Sequence, residues 1–88
     1  MVTRNKIGDI CSIMNELSIV IGIKTDEENQ IDFELWKTLD GKKGIIRQID
    51  WEADEVIHIT KYQTFEMAQG IFNEIKEDEK WTGDTLII

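Results

Sequence analysis

Between Ile19 and Lys61, apolar and polar residues alternate with a period of two, in four runs separated by turn-forming residues. Ile19, Ile21 and Ile23 alternate with Val20 and Gly22. Ile31, Phe33 and Leu35 alternate with Asp32, Glu34 and Trp36. Ile45, Ile49 and Trp51 share a parity in a third run, and Val56 to Lys61 close the series. Successive side chains of a strand point to opposite faces, so four such runs predict an antiparallel sheet with one face buried. The chain has no proline, so no locked φ interrupts a strand and the turns fall to Gly, Asp and Asn.

The flanks carry a helical period instead. Thr3 is placed to cap a first helix running to about Leu17, with Ile7, Ile10, Cys11, Ile13, Met14 and Leu17 recurring at three- and four-residue steps. Thr64 is placed to start a second helix, whose buried stripe is Phe65, Ala68, Ile71, Phe72 and Ile75. The acidic cluster Glu77-Asp78-Glu79 falls near its C-terminus, the unfavourable end of the helix dipole. After Gly83, "TLII" reads as a short final strand or a docked tail. The expected fold is a two-layer α+β domain spanning residues 1–88. It is a four-stranded antiparallel meander with two helices on one face, in the order α-β-β-β-β-α, with a short fifth C-terminal strand as an option.

The length of the loop after Thr38 decides which residues of strands two and three share a face. A two-residue Asp40-Gly41 turn sets Glu34 beside Arg47, but it also sets Gln48 and Asp50 beside Phe33 and Ile31. An odd loop aligns Ile31, Phe33 and Leu35 with Ile45, Ile49 and Trp51. Burying an unpaired carboxylate costs several kcal/mol, against about 0.2–1 kcal/mol for an exposed cross-strand ion pair. On that comparison the odd loop is expected, with Gly41 or Gly44 at the positive-φ position. The fourth run is ambiguous, but with Ile57 and Ile59 read as core, Trp36, Ile46, Val56 and Tyr62 form an apolar cluster on the helix-free face, rimmed by Asp32, Glu34 and Asp50, with Val20 beside them. A contiguous patch of that kind marks an interaction site.

Charge narrows the function classes. The net charge is −8, and it is unevenly spread. Residues 25–36 carry −5 and residues 50–63 carry −3, whereas residues 37–49, with Lys37, Lys42, Lys43 and Arg47, carry +3. Such a field disfavours nucleic acid and anionic membrane, and favours basic partners. Lys42 and Lys43 at the glycine-rich tip read as solubilising hairpin residues. The helix–strands–helix layout resembles that of the double-stranded-RNA-binding module, which presents basic residues at the start of its second helix. Here that stretch is "TFEMAQ", without lysine or arginine, so the likeness stops at layout. No leader precedes the first periodic segment, and the apolar cluster Ile19–Ile23 is too short to span a bilayer. One cysteine, Cys11, permits no internal disulfide, so a reducing cytoplasm is the expected compartment.

Catalytic chemistry is sparse. His58 is the single histidine, in a strand, and Cys11 is expected in the core. Ser12 and Ser18 lack a nucleophile-elbow context, no His or Cys cluster has zinc spacing, and "DEENQID" lacks the glycine and terminal glutamate of a calcium loop. Asp32 and Glu34 share a strand face as a glycosidase pair would, but the chain offers no cleft for a sugar. The expectation is therefore a non-enzymatic protein without cofactor or metal. It binds a protein with a basic surface, such as a nucleic-acid-handling protein, in the manner of small acidic inhibitors, immunity and anti-defence proteins. Asp26, Glu27, Glu28, Asp32, Glu34 and Asp50 supply the charge, and Trp36, Ile46, Val56 and Tyr62 the apolar anchor. The alternative is a structural homodimer, or a subunit of a larger assembly, that pairs through the same outer face.

Overall fold

A computed structural model describes residues 5–75. Five antiparallel strands run in the order β1 (Ile10–Ile13), β2 (Glu16–Asp26), β3 (Ile31–Thr38), β4 (Gly44–Asp50) and β5 (Glu55–Tyr62), followed by helix α1 (Phe65–Glu74). The architecture is sheet-dominated α+β, with five strands and one helix among the described residues in place of the expected four and two.

The first expected helix is instead a hairpin. Ile13 pairs with Glu16 across a two-residue turn in which Met14 (φ 51°) and Asn15 (φ 69°) both take positive φ. That backbone matches the twist of flanking strands, and Asn tolerates it. The three- and four-residue spacing that suggested a helix is a coincidence of two short strands. Of its apolar stripe only Ile13 is buried, while Ile7, Ile10, Met14 and Leu17 are 40–57% exposed. Thr3, the Glu77–Glu79 cluster and the strand expected at Thr85–Ile88 lie outside the described residues.

The β3–β4 register is also corrected. Trp36 lies opposite Ile45, Glu34 opposite Arg47, Phe33 opposite Gln48 and Ile31 opposite Asp50. The loop is even, with Thr38 donating its N–H to the carbonyl of Lys43 (3.0 Å). Asp40 Oδ1 accepts from the Thr38 hydroxyl (2.6 Å) and the Lys42 N–H (2.9 Å), and Gly41 supplies the positive φ of 79°. The cost that favours an odd loop does not arise here, because the Glu34–Arg47 pair is not at the surface and Asp50 is not a buried, unpaired carboxylate. Glu34 is buried and fully engaged, and Asp50 is half-buried with its carboxylate bonded to the next turn.

Both sides of the sheet are packed. On one side α1 lays Phe65, Ala68 and Phe72 on Leu35 and Ile46, flanked by Ile21, Phe33, Tyr62 and Ile75. Thr64 caps the helix as its sequence predicts, accepting the Met67 N–H at 3.2 Å, whereas Ile71 is 40% exposed rather than buried. Gly44 allows this approach, since a Cβ there would collide with Ala68. On the other side Ile13, Val20, Trp36 and Ile45 form a second cluster, with Ile23 against it.

A bulge in β2 assigns residues to these sides. Val20 pairs with Trp36 but Gly22 pairs with Leu35, leaving Ile21 as the extra residue. The shift turns Ile23 toward the Trp36 cluster and Lys24 toward the helix. There the Lys24 ammonium donates to the carbonyl of Phe72 (2.7 Å), near those of Asn73 and Ile75, and lies 4.9 Å from the Phe72 ring centroid. A cation at these carbonyls satisfies groups that the helix end leaves open and complements its dipole.

The sheet curls toward the Trp36 side. Glu16 of β2 is ion-paired with Lys61 of β5, although two strands separate them. In a flat sheet their backbones would stand about 14 Å apart, beyond comfortable reach of the two side chains.

Candidate functional site

The expected outer patch does not form. Trp36 is fully buried, and even-loop register puts Ile46 on the opposite side of the sheet, under α1. Tyr62 packs against the same helix-side cluster, and only Val56 is exposed, at 40%. Asp32 and Glu34, expected on a wet rim, are 2% and 0% exposed.

Glu34 instead centres a buried polar network. Its Oε1 accepts from Arg47 Nε and from Trp36 Nε1, each at 2.9 Å, and its Oε2 accepts from Asn5 Nδ2 at 2.9 Å. The Arg47 guanidinium lies 5.2 Å from the Trp36 ring centroid. Asp32 Oδ1 accepts the Thr25 hydroxyl at 3.0 Å. A buried carboxylate is tolerable when its lone pairs are filled and its charge is matched, and both conditions hold for Glu34. These acids serve the fold.

A second group of carboxylates gathers at the turns of one end. In an antiparallel meander alternate turns return to the same end, so the β2–β3 turn and the β4–β5 turn are neighbours. The Trp51 N–H donates to the Gln30 carbonyl at 3.1 Å and ties them together. Asp26, Glu27 and Glu28 come from the first turn and Asp50, Glu52, Asp54 and Glu55 from the second, and neither turn contains Lys or Arg. Within this acidic end the roles divide. Asp26 accepts from the side chain and backbone of Asn29, at 2.7 and 3.2 Å, which holds its carboxyl below the usual value. Asp50 accepts the N–H groups of Glu52 and Ala53. Glu27, Glu28, Glu52 and Glu55 are exposed. Sequence reasoning selected Asp26, Glu27, Glu28 and Asp50 but passed over Glu52, Asp54 and Glu55, although hairpin order alone brings them together.

The opposite end is mixed in sign. Lys43 and Lys61 converge on Glu16, whose carboxyl is held below its ordinary value mainly by the Lys61 hydrogen bond. The Thr38 hydroxyl holds Asp40 low in the same way. The basic tip is thus partly neutralised by its own chain.

Along the sheet edge, β5 carries Val56, Ile57 and Ile59 at 40%, 44% and 37% exposure. Ile57 and Ile59, expected in the core, are exposed because β5 is an edge strand with a bulge. His58 opposes Gln48 and Val56 opposes Ile49, leaving Ile57 extra. His58 is exposed with its Nε2 2.9 Å from the Thr60 hydroxyl, and Cys11 is exposed on β1 rather than in a core. Among the described residues no group of three or more His, Cys, Asp or Glu is arranged to hold a metal ion, and no helix is long and apolar enough to cross a membrane. Comparison with protein-family models, curated proteins and solved structures finds no match to this chain.

Proposed function

We propose that the protein acts without catalysis, by binding a protein partner that presents a basic surface, and that the acidic end of the sheet is its contact. The observation that supports this is the junction of two lysine- and arginine-free turns, held by the Trp51–Gln30 hydrogen bond, with Glu27, Glu28, Glu52 and Glu55 facing solvent. Asp26 and Asp50 stiffen these turns through bonds to their own backbone or side chains, so the outward carboxylates are presented on ordered loops. A preorganised field of one sign speeds encounter with an oppositely charged surface and selects against anionic ones. The adjacent exposed residue Val56 offers apolar contact beside the charge. This is the behaviour of a small acidic inhibitor that masks a basic site on its target, and a nucleic-acid-handling protein is the fitting class of target.

The test compares the wild type with a variant carrying Glu27→Gln, Glu28→Gln, Glu52→Gln and Glu55→Gln as baits in native lysate. A basic protein retained by the wild type, released by salt and lost from the variant is the expected result. Retention that neither salt nor neutralisation changes contradicts the assignment.

A further inference from the structure

We infer that the outward face of α1 docks an amphipathic helix of a protein partner, one that carries lysine or arginine beside an apolar stripe. α1 buries Phe65, Ala68 and Phe72 against the sheet and turns Met67 and Ile71 outward, at 52% and 40% exposure. On a helix, residues four apart lie in rows. Met67 and Ile71 make an apolar row here, and Glu66, Gly70 and Glu74 make an exposed second row that dips at the glycine. The two rows line a shallow, open depression of about 570 Å3.

Gly70 points to a partner. Glycine in a helix interior is less stable than alanine, because it loses more conformational freedom on folding. Nothing among the described residues requires glycine at this position: its φ is not positive, and no atom lies within 4 Å of where a Cβ would stand. Gly44 is the contrast, since Ala68 fills the space that its Cβ would take. The close approach that Gly44 grants to α1 inside the fold is the one that Gly70 offers to a second helix outside it.

Charge selects the occupant. α1 contains no lysine or arginine, and neither Glu66 nor Glu74 has an ion-pair partner among the described residues. These two carboxylates stand about 12 Å apart along the helix axis, one on each side of Gly70. They match a partner helix with two basic residues at a similar separation and an aliphatic residue midway, which seats at the glycine beside Met67 and Ile71. A second copy does not fit, because a two-fold contact through this face sets carboxylate against carboxylate. The inference shares the basic-partner reading above but uses a different contact. The last turn of α1 is held at Lys24, whose Nζ lies 3.4 Å from the Ile75 carbonyl and which precedes Asp26 by two residues. The helix face therefore adjoins the acidic end without including its glutamates.

Amide chemical shifts of the isotope-labelled full chain test it, titrated with a synthetic amphipathic helix that has a leucine stripe flanked by lysines. The same peptide with glutamate in place of lysine is the control. The lysine peptide should move Met67, Gly70, Ile71 and Glu74, in the wild type and in the variant with Glu27, Glu28, Glu52 and Glu55 neutralised, and the control should move none of them. Gly70→Leu should weaken the lysine peptide by about tenfold or more without changing any charge. Gly70→Ala should raise the urea midpoint, because its methyl group meets open space. Shifts confined to the β2–β3 and β4–β5 turns overturn this inference and leave the acidic-end reading standing. Equal binding by Gly70→Leu overturns it, as do α1 shifts that appear on raising protein concentration without peptide. A lower urea midpoint for Gly70→Ala also overturns it, since the chain itself then occupies the face.

Discussion

Glu34 and Glu27 belong to the same hairpin and carry the same group, yet they do opposite things. Glu34 points to the inside of the curl, where Arg47, Trp36 and Asn5 fill its acceptor sites. Glu27 sits on the β2–β3 turn, exposed, in an end of the molecule built from carboxylates. What separates them is the partner set that the register supplies. A carboxylate that finds a guanidinium and an indole N–H becomes part of the core, and one that finds water and other carboxylates becomes a field.

Removing the inner carboxylate should do the most damage. Glu34→Ala leaves the Arg47 charge and the Trp36 N–H without their acceptor, and should cost about 3–5 kcal/mol in urea unfolding. Lys24→Met keeps the aliphatic stem but withdraws the donor from the end of α1. It should cost about 1–3 kcal/mol and increase hydrogen exchange in the last turn of the helix. Gly44→Ala forces α1 off β4 and should cost about 1–3 kcal/mol, read from the same unfolding curves. Acidification should act on the outer groups. Glu16, Asp26 and Asp40 have folded pKa values below their ordinary ones. Their contribution is therefore complete above the usual carboxylate range and is lost as pH falls through the folded values. Thermal stability should be level near neutrality and decline below about pH 4, less steeply in Glu16→Gln. Smallest of all is the quadruple neutralisation of Glu27, Glu28, Glu52 and Glu55, which should change stability by no more than about 0.5 kcal/mol.

Much of this fold is legible in the sequence. The alternating runs locate β3, β4, β5 and the middle of β2, one of the two glycines offered for the turn, Gly41, takes the positive φ, and Thr64 caps α1. The differences at the outer face share one physical cause. A period-two pattern says which residues alternate, but not that both faces will be covered, and a sheet packed on both sides relaxes the rule that polar means outward. On the pattern alone Asp32, Glu34 and Trp36 therefore read as solvent-facing. Arg47, thirteen residues beyond Glu34, was visible as a cross-strand partner in the even register. That register looks unfavourable in sequence because an exposed ion pair is worth little, whereas burial makes the same pair far more consequential. The β1–β2 hairpin was hidden for another reason. Four residues are too few to establish a period, and Met14 is an uncommon residue at positive φ. The acidic end needed only the strand order, which returns alternate turns to one side.

The most direct test sets the two regions against each other in one assay, urea unfolding of Glu34→Ala and of the quadruple glutamine variant. A loss of about 3 kcal/mol or more in the first, with a change within about 0.5 kcal/mol in the second, is the outcome this structure predicts. Equal effects, or a Glu34→Ala protein as stable as the wild type, would contradict the division between a carboxylate that holds the fold and carboxylates that face a partner.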